Sequence, residues 1–327
     1  MAGRRVLITG VGGFMGAKLA HRLTRDPAIE YVAGLDSRVP RTALSGTEFI
    51  HADIRDPELG TLVASTRVDT IVHNQIVRRP GPGVSVATMH DVNVIGSLQL
   101  LTACEQTPEV RTIVVRGSAG IYGAEARAPQ FLGEDMVRLN PLRTRFQRDV
   151  GEIENLFTTY ARRHPEVTCS VLRYQPAIGP SLDTQVARYL SLPLAPTYLG
   201  FDPRLQFVHE QDGLEALVAA VRHPVRGAVN VAGPGTIGLT RMLRLAGRPS
   251  LPVLGPLFGP VADTIRRAGR AELSPDFRRL LRYGRAVDTT RLEQEVGFTP
   301  QFGTTAAVED YLAHRRRPLD SPTPADD

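Results

Sequence analysis

Short apolar runs rich in β-branched residues punctuate the first half of the chain, and longer stretches with helical spacing separate them. VLIT at Val6–Thr9, YVAGL from Tyr31, TIVH from Thr70 and TIVV from Thr112 are nearly continuous in apolar character. Such runs predict parallel strands buried on both faces. Between them, MGAKLAHRLTR and VNVIGSLQLLTACEQ carry apolar residues at amphipathic-helix positions. The alternation predicts βαβ units and an α/β, doubly wound parallel sheet. A further strand, VTCSVLRY from Val167, follows a long helix that contains FQRDVGEIENLF, starting at Phe146.

Beyond that strand the texture changes. LSLPLAPTYLGFDPR and GRPSLPVLGPLFGP are rich in proline and glycine, which predicts a smaller lobe of loops and short elements. The strand-like RLQFVH and AVNVAG interrupt them, so the chain is expected to pass back and forth between sheet and lobe. The expected sheet domain takes residues 1–173, 206–233 and 286–315. Residues 174–205 and 234–285 form the C-terminal substrate or cap lobe, and 316–327 a disordered acidic tail.

The first strand runs into TGVGGFMG, which sets Gly10, Gly13 and Gly16 just before a helix. Gly10 suits a tight turn, Gly13 lets backbone approach a pyrophosphate, and Gly16 lets helix and strand pack closely. The second strand ends in GLDSR, placing Asp36, with Ser37 and Arg38, where an acid holds a ribose 2′-hydroxyl. This context predicts a Rossmann-type dinucleotide site. Asp36 repels a 2′-phosphate, so NAD is expected over NADP, although Arg38 argues the other way.

Composition removes other classes. With 42% hydrophobic and 22% charged residues and no apolar run of membrane length, a soluble, cytoplasmic chain without a membrane partner is expected. The net charge of +5 comes almost wholly from scattered arginines, Lys18 being the sole lysine, so no nucleic-acid partner is expected. The densest run, Arg315 to Arg317, reads as a solvated helix end. Cys104 and Cys169 lie far apart without metal-ligand spacing, so no metal is expected.

The landmarks TGVGGFMG, HADIRD, VDTIVHN, NVIGS, RGSAGIYG, VLRYQPAIGP, RLQFVHEQD and DTTRLEQEVGFTP, in that order, resemble the extended short-chain dehydrogenase/reductases. Within that group the chain is similar to nucleotide-sugar epimerases labelled UDP-glucose 4-epimerase-like. The resemblance covers nearly the whole chain and implies a nucleotide-sugar ligand and a homodimer built on the long helix and its predecessor. It also implies that Phe14 and Met15 offer amides to the pyrophosphate, that Asp53 and Ile54 flank the adenine, and that Asn93 orders the site. Ser118 is implied to hydrogen-bond the reacting oxygen, and Tyr122 to face the substrate. Each has a plainer alternative: Asp53 capping a helix near Pro57, Ser118 capping a strand end, Tyr122 as a packed aromatic.

The sequence also departs from that pattern. Members carry Tyr-x-x-x-Lys on the long helix, where the phenol moves a proton and the lysine lowers its pKa. Here Phe146 and Val150 stand at those positions. Tyr160 and His164 have similar spacing but lie about 21 Å farther along a helix. Asn74, Gln75 and Ile76 replace a small Leu-Ala-Ala beside the cofactor, Pro176 replaces an asparagine, and the Asp-Glu pair of dehydratases is absent. Three readings stay open: a dinucleotide-binding pseudoenzyme or regulator, an enzyme in which Ser118 or Tyr122 moves the proton, and an interaction protein with a vestigial nucleotide site.

Overall fold

The computed structural model describes residues 3–40, 43–77, 86–136 and 141–315. Arg316, Arg317 and the acidic tail lie outside the described residues. Seven strands form the main sheet: β1 (Arg4–Thr9), β2 (Ile29–Asp36), β3 (Glu48–His51), β4 (Thr70–His73), β5 (Thr112–Ser118), β6 (Thr168–Tyr174) and β7 (Gly227–Val231). Their order is β7-β6-β5-β4-β1-β2-β3, and every pairing is parallel. Strand order therefore reverses between β1 and β4, which opens a crevice at their carboxyl ends.

The period-two alternation of the strands fills two apolar layers. Val6, Ile8, Val114 and Leu172 point to one face, where α1 (Phe14–Thr24) and α5 (Glu210–Arg222) cover them. Leu7, Ile71, Val115 and Val171 point to the other, under α2 (Leu59–Thr66), α3 (Gly96–Glu105) and α4 (Arg145–Arg163). Five expected strands and AVNVAG entered this sheet; EFIH, read as part of no strand, became its edge strand β3. RLQFVH did not join it, but split into Arg204–Leu205 and Val208–His209, which pair with short segments elsewhere.

A second core lies in the smaller lobe, around Tyr189, Phe207, Phe258, Phe277 and Leu281. Two helices matter later: α6 (Pro275–Tyr283) and α7 (Thr304–Arg315). Helix α7 falls within the segment expected to belong to the sheet domain, yet Ala307, Val308, Tyr311 and Leu312 pack into this second core. Helix α7, the last among the described residues, thereby completes the core of the smaller lobe.

Candidate functional site

The loop after β1 is built as the sequence demands. Gly10 has φ +72°, a left-handed conformation that disfavours any side chain, and a methyl group on Gly16 would lie 2.3 Å from the Gly10 carbonyl oxygen. Gly13 is different. Its φ is −86°, and among the described residues beyond its chain neighbours a methyl group there would come no closer than 3.5 Å to any atom. Nothing among the described residues requires glycine at this position. Its missing side chain leaves open the space before α1, whose first turn holds no acid and whose N-cap offers no side-chain acceptor. That cradle fits a diphosphate.

Asp36 is 1% exposed at the end of β2. Its carboxylate accepts from the Gly12 and Arg38 backbone N–H groups, both at 2.9 Å, so the acid fixes the glycine loop as well as facing it. Arg38 is exposed, and its guanidinium reaches within 3.9 Å of where a Gly13 methyl would stand. The Ser37 carbonyl accepts from His51 Nε2 at 3.0 Å. Phe14 is exposed beneath Lys18, whose ammonium lies 4.3 Å from the ring centroid and pairs with Glu210 at 3.6 Å; Met15 is buried. The Ala52 N–H donates to the Asp36 carbonyl, which brings Asp53 and Ile54 beside the same crevice. Ile54 is buried against Gly96. Asp53 caps no helix: α2 begins at Leu59, and Asp53 instead holds Arg55, whose guanidinium keeps its carboxyl below the usual range.

In the middle of the crevice, Asn93 is fully buried and clamps the chain after β4. It donates to the Val77 carbonyl at 2.9 Å and accepts from its N–H at 2.8 Å. A π-helical stretch, Asp91–Ile95, carries it just before α3. Asn74 and Gln75 border the glycine loop: Asn74 Nδ2 donates to the Gly10 carbonyl at 3.5 Å, and the Gln75 backbone packs on Gly10. Ile76 packs against the α2–α4 face of the sheet. Under them runs a buried chain. Ser97 donates to the Asn93 carbonyl, so His73 Nε2 donates to Ser97 Oγ at 2.9 Å and Nδ1 accepts from Thr9 Oγ1 at 2.9 Å. Burial pushes the His73 pKa down to about 4.

At the carboxyl end of β5, Ser118 accepts from the Gly120 N–H at 3.1 Å, capping the short turn Ala119–Tyr122. A methyl group on Gly120 would lie 3.1 Å from Ser118 Oγ and 3.2 Å from Cε1 of Phe146. The phenyl ring thus shares the space in front of the serine. Val150 is 3% exposed, packed with Ala119, Ile121 and Tyr122. Tyr122 is 1% exposed; its hydroxyl donates to Asn230 Oδ1 at 2.8 Å and accepts from Arg173 at 2.6 Å. Burial raises its pKa against the pull of Arg173. This is the packed aromatic, and its hydroxyl is withdrawn from the crevice. Tyr160 stacks on His164 at 4.3 Å, at the far end of α4.

Arg116, two residues before Ser118, sends a guanidinium N–H to Asn74 Oδ1 at 3.3 Å and lies 5.5 Å over the ring of Tyr174. A cavity of about 400 Å³ opens between the turn after Tyr122 and the smaller lobe, lined by Glu125, Phe201, Arg204, Arg282 and Arg285 among others. Glu125 is neutralised by Arg143 and Arg279. The Arg282 guanidinium stands over the rings of Tyr198, Phe201 and Tyr283 at 5.0 to 5.4 Å. Burial pulls Arg285 down to about 10. The cavity is cationic and aromatic, a setting for an anion that carries a ring.

A model of the NAD dependent epimerase/dehydratase family matches residues 6–232. The chain belongs to that family. An uncharacterized protein of Mycobacterium tuberculosis is 36% identical over 316 residues, covering 95% of this chain and 84% of that one. The solved UDP-glucose 4-epimerase of Thermotoga maritima, with UDP-glucose, matches with a TM-score of 0.73 at 18% identity, covering 95% of this chain and 98% of that one. The dTDP-glucose 4,6-dehydratase of Bacillus anthracis, in complex with NAD, matches with a TM-score of 0.71 at 15% identity, covering 95% and 96%. At such identities the likeness is one of fold.

This epimerase/dehydratase family member carries site residues that sequence reasoning passed over. His73, Thr9 and Ser97 gave no signal, because their meeting depends on strand register. Arg116 did give one: a charge inside the apolar run TIVVRGS. Among the described residues no helix is long and apolar enough to cross a membrane, and no group of three or more His, Cys, Asp or Glu is placed to hold a metal.

Proposed function

We propose that the protein binds NAD, in preference to NADP, across the glycine loop without the family's Tyr-Lys proton transfer, and so acts as a pseudoenzyme or regulator. Phe146 carries this reading: a phenyl ring stands before Ser118, where the chemistry needs a hydroxyl that ionises. Bound NAD would supply a hydride acceptor. The chain's own residues hold the diphosphate at Gly13, the ribose at Asp36, and the segment after β4 through Asn93.

The cationic, aromatic cavity supports a nucleotide-sugar class of ligand, as does the UDP-glucose bound to the Thermotoga maritima epimerase. The exposed Ile95 and Leu98, beside α4, supply an apolar face for a homodimer. A second reading, an enzyme of altered chemistry, rests on Ser118 alone: its hydroxyl accepts from Gly120 and keeps its own proton to donate. The test is equilibrium dialysis with NAD⁺ and NADP⁺, followed by incubation with UDP-glucose and UDP-galactose. Retention of NAD⁺ over NADP⁺ without sugar interconversion is expected. Interconversion at an ordinary enzymatic rate, about 1 s⁻¹ or faster, would overturn the reading.

A further inference from the structure

The dinucleotide crevice holds a cation that the proposed function does not use. Arg116 and Ser118 sit two apart on β5, so they share one face of the strand. Through Asn74, which bonds both Arg116 and the Gly10 carbonyl, the guanidinium is tied to the glycine loop. It therefore lies between the loop and Ser118, across the carboxyl ends of β1, β4 and β5. A dinucleotide laid from Gly13 toward Ser118 must pass it.

Among the described residues, two enclosed atoms on this path have no hydrogen-bond partner: Arg116 Nε and Gln75 Oε1. Among the described residues no carboxylate lies within ion-pair distance of Arg116. Among those residues its charge faces the Tyr174 ring and the Asn74 amide oxygen. Burial lowers its pKa from the ordinary value, yet a guanidinium starts so high that it stays charged at neutral pH.

Oxidised nicotinamide carries a positive charge on the ring, and reduced nicotinamide carries none. We propose that Arg116 makes this crevice selective for the reduced dinucleotide, so that the protein reports NADH against a background of NAD⁺. The inference rests on the dinucleotide reading of the same crevice. It gives a reason for an arginine inside an apolar strand: two like charges sharing a partly desolvated site repel strongly, and the free Nε is a donor that a neutral ring or an anion leaves uncontested. ADP-ribose, which lacks the cationic ring, escapes the same penalty.

Calorimetric titration of the full chain with NADH, NAD⁺ and ADP-ribose tests it. NADH is expected to bind ~10-fold or more tightly than NAD⁺, with ADP-ribose also ahead of NAD⁺. In Arg116→Gln the NADH-to-NAD⁺ ratio should fall toward one, and in Arg116→Lys it should persist. Equal wild-type affinities for NADH and NAD⁺ would overturn the selectivity and leave the dinucleotide reading standing. An unchanged ratio in a folded Arg116→Gln protein would overturn the role of Arg116. If none of the three ligands binds, the dinucleotide reading falls and the selectivity with it. The wild-type ratio decides the matter even where the Gln variant fails to fold.

Discussion

Val150 shows why the missing chemistry is not restored by one or two side chains. It is 3% exposed among Ala119, Ile121 and Tyr122, so Val150→Lys would place an ammonium in an apolar cluster. We expect that substitution to destabilise the fold by roughly 3 kcal/mol or more in urea denaturation. Phe146→Tyr with Val150→Lys should therefore yield no robust epimerase; strong turnover would show that the cluster rearranges around a lysine. His73 sets a pH dependence. Its pKa is about 4 in the fold against 6.5 when exposed, so below pH 6.5 the unfolded chain gains a proton that the native state refuses. Stability should fall by about 3 kcal/mol as pH drops from 6.5 to 4, and His73→Asn should flatten that part of the curve. Single residues were unevenly legible: Phe146 and Val150 stood out against a motif, whereas Tyr122 could be assigned only once Asn230 and Arg173 were seen to occupy its hydroxyl.

At the scale of elements, the first turn of α4 positions Phe146. Thr144 and Gln147 form a reciprocal cap there, and the Thr144 hydroxyl also donates to Asp276 on α6, whose pKa burial raises. Thr144→Ala removes the cap and leaves a partly buried carboxylate short of a donor. A loss of about 2 kcal/mol is expected, recovered largely by Thr144→Ser; no change in the denaturation midpoint would mean the cap is redundant. The strands of the central sheet were readable because parallel strands covered on both faces are apolar throughout. Strand β3 was not, since it is an edge of four residues with two of them exposed. The split of RLQFVH was equally hidden: Leu205 and Phe207 serve the second core and Val208 the core of the main sheet, and periodicity does not say which core a strand faces.

Across the whole molecule, a fold shared with solved epimerases and dehydratases carries its own contents. The residues after β4 are larger than the resembling family's small triplet, an arginine stands in β5, and the cavity under the lobe gathers Arg204, Arg282 and Arg285. Arg282→Gln should weaken UDP-glucose binding roughly tenfold while leaving NADH affinity unchanged, a separation that competition titrations can read. Of the apolar positions of α4, Val150, Ile153 and Phe157 are buried within the protomer, while Leu156 is partly covered. Leu98, 47% exposed on α3, is the better handle, and Leu98→Glu should shift a dimer to monomer in sedimentation. The glycine loop and the parallel, doubly wound character of the sheet were legible because backbone geometry dictates them. The cavity was not, because its lining comes from three distant segments of the chain.

Everything proposed for this chain depends on a nucleotide entering the open space at Gly13. The most direct measurement is calorimetric titration of NADH into the wild type and into Gly13→Ala, a change that the backbone conformation tolerates and whose methyl group comes no closer than 3.5 Å to the described residues beyond its chain neighbours. Saturable binding to the wild type, weakened at least ~10-fold in a variant of unchanged melting temperature, is the expected result. A well-folded wild type that takes up no NADH, or a variant that binds it equally well, would contradict the account.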